Sequence, residues 1–475
     1  MPKTYEDFLA SKALTVPDAG FQINPSEINP NLFPFQRDLV QWGLKKGRAG
    51  IFTTTGTGKS RISLAWAEKA ADRVLLLAPL AVAQQTIEEG EKIGIRVTYA
   101  RNMMQSPRKG ITITNYEMFL NGHFDVSQYG AISLDESSIL ASYTGATKQK
   151  LIADCASVPM RLSLTATPAP NDSVELCNQA HFLGVMQPRD MLTIFFTTKG
   201  VGVMDGRFRL KTHAKEAFYQ WLSSWAMSLL YPSDLGYSDE GYILPELKIE
   251  SVIVPSDYVP EGQLFYTRLN GIQERTAARR SSVEARVQAT VDLVRAQSNE
   301  QWLLWCGLNA ESEMLTKALG KEAVEVRGPD SPESKAERLS KFAHGQIKYL
   351  VTKPSIAGFG LNFQSCARMA FVGLGDSYQA YFQAMKRCHR FGQKREVEAY
   401  IVLSEAEQDI YDNVLRKERE NLELMGELIR NVGKYEQSEI HGLGRQQTYN
   451  PQIPILLPDW LKTVIRQEIG IGDYR

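Results

Sequence analysis

Short apolar runs recur along the chain in two sets. The first is AGIF (49–52), VLLLAP (74–79), ITIT (111–114), AISL (131–134) and RLSL (161–164). The second is WLLW (302–305), AVEV (323–326), KYLV (348–351), MAFV (369–372) and EAYIVL (398–403). Helix-length segments such as 60–71 and 311–319 lie between them. Strand alternating with helix predicts parallel sheets with crossover helices. Two sets of similar length predict an α/β protein of two doubly wound lobes.

The segment between the sets has a different pattern. FYQWLSSWAMSLLYPSDLGYSDEGY (218–242) is rich in aromatics and closes in turn signals. RTAARRSSVEARVQATVDLVRA (275–296) reads as one helix with Arg275, Arg279 and Arg286 near one face. That face is either a solvated surface or a contact for nucleic acid. Residues 405–432 predict a long exposed bracing helix of alternating charge, followed by an extended tail around YNPQIPILLPDW. The expected organisation is 1–188 as an N-terminal segment and first lobe, and 189–300 as a mostly helical insertion and linker. Residues 301–432 form the second lobe with its bracing helix, and 433–475 the tail.

A chain of 475 residues exceeds one ordinary core, in keeping with two lobes. No apolar run approaches the ~20 residues needed to span a bilayer, and MPKTYEDFLA lacks the apolar core of a signal peptide, so a cytoplasmic location is expected. The five cysteines are widely spaced and none is in a C-x-x-C pair, against a disulfide framework or a structural zinc site. The 54 basic and 54 acidic residues balance. This permits a nucleic-acid groove only as a local basic feature.

The chemistry starts at GIFTTTGTGKSRISLAWAEKA, which reads strand, glycine-rich turn, helix. Gly56 and Gly58 let backbone N–H groups approach a phosphate, and a helix N-terminus begins near Lys59. Lys59 can reach the β and γ phosphates of a nucleotide, and the Ser60 hydroxyl can hold Mg²⁺. The first glycine of the strict P-loop pattern is replaced by Thr53. The variant with a threonine before the first glycine fits through Thr55, Gly56, Thr57 and Gly58. In YGAISLDESSIL (129–140) a second apolar strand ends in Asp135 and Glu136. Alone this is an acidic turn. With a phosphate loop upstream, Asp135 becomes the choice for the magnesium site, and Glu136 for polarising the attacking water.

After LTATPAPND (164–172) the order of segments resembles superfamily 2 helicase-type ATPases, over roughly residues 30–430. In lobe two, AGFGLNF (357–363) resembles motif V, and QAYFQAMKRCHRFGQ (379–393) resembles motif VI of the Swi/Snf branch. The sequence resembles in particular phage- and prophage-encoded DEAD/DEAH-like helicases of that branch, in which LDESSIL and an insertion like LKTHAKEAFYQWLSSWA…PSDLGY recur. The resemblance implies RecA-like lobes, with ATP and Mg as cofactors. It implies that Gln36 in FPFQRDLV reads the adenine and that Gly360 belongs to the nucleotide site. Arg387 and Arg390 would reach the γ-phosphate from the second lobe. Thr165 and Thr167, with Ser138 and Gln383, would couple the lobes, Ser138 meeting Gln383 or the TAT segment on closure. Asn115 and Tyr116 in ITITNYEMF would touch DNA.

The expected activity is an ATP-dependent translocase or helicase on DNA that tracks along the duplex. Phe218, Tyr219, Trp221 and Trp225 are either a strand-separating wedge or the packed face of an amphipathic helix. The rival readings are a nucleotide-dependent switch acting on a phage or host protein partner, an RNA helicase, and a restriction-system motor. A monomer without membrane contact is expected.

Overall fold

The computed structural model describes residues 16–141, 145–198, 208–256, 272–357 and 362–435. Fifteen strands are present among them: β1 (Arg48–Thr53), β2 (Arg73–Ala78), β3 (Val97–Tyr99), β4 (Gly110–Asn115), β5 (Ala131–Asp135), β6 (Met160–Thr165), β7 (Phe196–Thr198), β8 (Phe208–Leu210), β9 (Ala226–Leu229), β10 (Leu247–Val254), β11 (Trp302–Cys306), β12 (Ala323–Glu325), β13 (Tyr349–Thr352), β14 (Arg368–Val372) and β15 (Val397–Ser404). Seven of them form one sheet in the order β3-β4-β2-β5-β6-β1-β9, and six form a second in the order β10-β15-β14-β11-β13-β12. Every pairing in both sheets is parallel. These are two RecA-like lobes. Parallel sheets are covered by helices on both faces, which is why β1, β2 and β11 are apolar along nearly their whole length.

All ten strands expected from the apolar runs are present, each within a residue or so of its expected place. The segment 189–300 supplies elements to both lobes. Within it, β9 pairs with β1 at the edge of the first sheet, and β10 pairs with β15 at the edge of the second. The helix expected over 275–296 is two helices, Ile272–Ser281 and Val283–Ala296, broken at Ser282. The second of them packs Val283, Val287, Val291 and Val294 onto the core of lobe two.

Five helices carry the argument below: α1 (Pro34–Lys46), α2 (Lys59–Ala70), α3 (Asn309–Leu319), α4 (Tyr378–Met385) and α5 (Gln408–Tyr435). The last is the bracing helix. Its first half places Ile410 and Val414 in the core of lobe two, and its second half places Leu424, Met425 and Leu428 in the core of lobe one. All five cysteines are buried free thiols. Among the described residues no helix is long and apolar enough to cross a membrane. The expected tail lies almost wholly outside the described residues.

Candidate functional site

In a parallel sheet every strand delivers its following loop to the same edge, and ligands gather there. In lobe one, that edge holds the loop after β1, Asp135 at the end of β5 and Thr165 at the end of β6. The loop needs its glycines: Gly56 has φ 94° and Gly58 has φ 85°, a region side chains resist. A Cβ on Gly58 would also lie 2.3 Å from Nε2 of Gln36. Thr57 ties the loop on itself, its hydroxyl 2.8 Å from Thr53 Oγ1 and 2.9 Å from the Thr54 carbonyl. The Lys59 ammonium donates to the carbonyls of Thr53 and Thr54 at 2.9 and 3.0 Å. Burial lowers its pKa, opposed by the Glu136 and Asp135 carboxylates.

Gln36 has a bracing duty. Its Oε1 accepts from the Phe33 N–H at 3.0 Å, capping α1, and its Nε2 donates to the Thr57 carbonyl at 2.8 Å. The amide thereby fixes the phosphate loop to the start of α1.

Asp135 accepts from the Glu136 N–H at 3.0 Å. Burial, and then the neighbouring Glu136 charge, push its carboxyl up to about 7. Glu136 has φ 54°, unlike any other described non-glycine residue. Such a conformation costs ~1–3 kcal/mol and persists only where surroundings hold it. The two serines that follow face opposite ways. Ser137 is fully buried, accepting from Ser163 Oγ at 2.8 Å, and its carbonyl accepts from Gln179 Nε2 at 3.0 Å. Ser138 reaches the other lobe.

Across the cleft, α4 presents Gln379 and Gln383, one turn apart on one face. Gln379 Nε2 donates to Ser138 Oγ at 2.6 Å, and Gln383 Nε2 donates to Glu136 Oε2 at 3.1 Å. The expected partner of Ser138 was Gln383 or the TAT segment. The helix register instead gives Ser138 to Gln379, and Gln383 to the carboxylate. Thr165 and Thr167 are buried in lobe one, where Thr165 Oγ1 accepts from the Thr167 N–H at 3.1 Å.

One cavity of about 450 Å³ joins these parts. Lobe one lines it with Gln36, Thr55, Gly56, Gly58, Lys59, Ser60, Asp135 and Glu136, and lobe two with Lys386, Arg387 and Arg390. Burial, and then the like charge of Arg390, lower Arg387 to about 9, and burial lowers Arg390 to about 10. Cations lining one cavity, Arg387 buried and Lys59, Lys386 and Arg390 half-buried, suit a polyanion. The donor set also fits a magnesium ion, which takes oxygen ligands and keeps water and phosphate in its shell. Ser60 and Asp135 supply such oxygens. Among the described residues no group of three or more His, Cys, Asp and Glu forms a protein-only metal cage.

Sequence reasoning missed the aromatic wall. Phe33, Tyr242 and Phe391 also line the cavity, the Phe33 and Tyr242 ring centroids 6.1 Å apart, and those of Tyr242 and Phe391 5.1 Å apart. Phe33 is the first residue of the quoted FPFQRDLV, but Tyr242 and Phe391 come from distant stretches, and nothing local marks either as its partner.

The residues expected to contact nucleic acid have other surroundings in the structure. Arg286 is fully buried, 2.7 Å from Glu311 and 3.0 Å from Glu407, and Arg279 lies 3.6 Å from Glu407. Both guanidinium groups are engaged inside lobe two, because Glu311 and Glu407 there need counter-charges. Arg275 lies on the helix Ile272–Ser281, and its side chain is outside the described residues, as is Gly360. Asn115 caps a short helix, accepting from the Met118 N–H at 2.8 Å, and Tyr116 donates its hydroxyl to the Asp135 carbonyl at 2.7 Å. Both are buried. Phe218, Trp221 and Trp225 are in the core of lobe one, Trp225 edge-on to Phe52 at 6.3 Å, so the aromatic segment is packed structure and no projecting wedge.

Residues 285–392, from the helix Val283–Ala296 to Gly392, match the family model of the helicase conserved C-terminal domain. This part of the second lobe is similar to a helicase C-terminal domain. Its match supports a helicase-type nucleic-acid-dependent ATPase. The helicase C-terminal domain contains α4, Arg387 and Arg390, so the part of the cavity supplied by lobe two lies wholly within it. No curated protein matches the chain.

Proposed function

We propose that the protein is a DNA-stimulated ATPase of the Swi/Snf type that moves along duplex DNA. The observation that carries this is the single cavity lined by a phosphate loop and acidic pair from one lobe and by two arginines from the other. In this reading the N–H groups of residues 56–60 and Lys59 hold the nucleotide phosphates. The wall of Phe33, Tyr242 and Phe391 stacks on the base. Ser60 and Asp135 would hold magnesium, which would supply neutralisation of phosphate charge. Glu136 orients and polarises the attacking water. Phosphoryl transfer spreads negative charge over the equatorial oxygens, and the guanidinium groups of Arg387 and Arg390 stabilise it. Because these arginines come from the far lobe, the full set assembles only when the lobes are together.

In this reading the phosphate grip of lobe two lies beside the N-terminus of α3. Arg280, Asn309 and Lys353 line one depression there with Gly307 and Leu308. The N–H groups of Gly307 and Leu308 are taken by Glu311, and Glu284 also lines the depression, so the grip rests on the two cations, which suit a nucleic-acid backbone and give hold without sequence reading. The choice of duplex DNA rests on the H-R-x-G-Q form at His389 to Gln393.

The test is ATP hydrolysis with duplex DNA, single-stranded DNA, RNA and no nucleic acid. Duplex DNA is expected to stimulate most, with ATP-dependent displacement of a triplex-forming strand and feeble unwinding of a fork. Greater stimulation by RNA would make the protein an RNA helicase. Hydrolysis indifferent to every nucleic acid would leave a nucleotide-dependent switch.

A further inference from the structure

We propose that Gln379 is a positioning residue for the water-activating carboxylate, acting through the hydroxyl of Ser138. This rests on the reading of Glu136 given above. The relay is in the geometry. Ser138 Oγ accepts from Gln379 Nε2 at 2.6 Å and lies 3.4 Å from the Glu136 carbonyl, to which it donates. A hydroxyl has one proton and two lone pairs. A donor arriving from Gln379 leaves the serine proton to point at Glu136. The peptide it reaches follows the residue whose φ is 54°. Gln379 thus holds in place the backbone that aims the carboxylate, while Gln383 holds the carboxylate itself.

The surroundings make the relay conditional on the lobes being together. Gln379 and Gln383 lie one turn apart on α4, and Arg387 follows two residues past its end, so one short segment carries the Ser138 contact, the Glu136 contact and the arginine. The start of α4 is fixed in turn. Ser377 caps it, accepting from the Ala380 N–H at 3.2 Å, and the adjacent Asp376 carbonyl accepts from Lys417 Nζ at 3.0 Å. The same ammonium donates to Asn171 Oδ1 of lobe one at 2.9 Å. Any rotation that withdraws the arginines also withdraws the Gln379 amide from Ser138. The Glu136 backbone then loses a restraint when hydrolysis is unwanted. Ser138 is therefore fitted to this chain's own partner: a short hydroxyl is bridged by a long amide.

Gln379→Ala, Ser138→Ala, their double variant and Ser138→Thr would be compared with the parent chain. The readouts are kcat and KM for ATP under saturating duplex DNA, and the unfolding temperature. Each alanine variant is expected to lower kcat roughly tenfold through a misaimed carboxylate, with KM and unfolding temperature unchanged. The double variant should be no slower than the slower single one, because both remove one relay. Ser138→Thr keeps the hydroxyl and should keep most of the rate. Multiplicative losses in the double variant, an unchanged kcat in Gln379→Ala, or a KM rising by the factor lost from kcat would each overturn the proposal. A parent chain without DNA-stimulated hydrolysis, or a Glu136→Gln variant with full turnover, would instead sink the reading of the site on which it rests.

Discussion

Removing the Lys59 ammonium takes away the charge that would face the β and γ phosphates. Lys59→Ala should abolish hydrolysis and weaken nucleotide affinity, as measured by titration with a fluorescent analogue. Glu136→Gln should bind nucleotide like the parent and turn over poorly, since the amide keeps the shape and loses the base; parental turnover would mean another residue activates the water. Arg286 is expected to act on stability. Its guanidinium neutralises buried Glu311 and Glu407, so Arg286→Ala leaves uncompensated buried charge and should cost ~3–5 kcal/mol in chemical denaturation. The salt dependence of DNA binding in the folded fraction should not move. Arg280→Ala with Lys353→Ala should lower that dependence, by ~0.9 in slope per lost duplex contact.

At the level of elements, Trp221 and Trp225 belong to a packed face, their rings 5.3 Å apart. Trp221→Ala should cost ~3–5 kcal/mol through the void it leaves, seen as a lower unfolding temperature, with no selective loss of strand separation. That the glycine loop, Asp135 and Glu136 would share one edge was legible because each is a local pattern at a strand end, and strand ends share an edge. The ten core strands were legible because burial on both faces makes a parallel strand uniformly apolar. The arginine face was not. A helical face of arginines reads alike whether it meets water or buried carboxylates, and Glu407 lies far along the chain. Ser138 is 241 residues from Gln379, so no local pattern could choose it over Gln383. Strand β9 was hidden in a stretch whose aromatics dominated its pattern, and β10, with most of its side chains exposed as an edge strand, carries only a short apolar run, Val252–Val254, at its end.

For the molecule as a whole, the decisive geometry is two half-sites on two lobes. Arg387→Ala and Arg390→Ala should each leave nucleotide binding largely intact while DNA-stimulated hydrolysis falls steeply, by ~10³ or more if either acts as arginine fingers do elsewhere. An affinity loss matching the rate loss would put them in the ground-state site. The bracing helix α5 carries a further consequence. Its 28 residues extend ~42 Å, with Ile410 and Val414 in one core and Leu428 in the other. Neither lobe owns a complete interior. Lobe one borrows its last apolar side chains from a segment that follows lobe two, so melting either lobe strips the other. Calorimetry should therefore show one heat-absorption peak for both lobes, and Met425→Asp, placed in lobe one, should lower the temperature at which lobe two melts by the same amount.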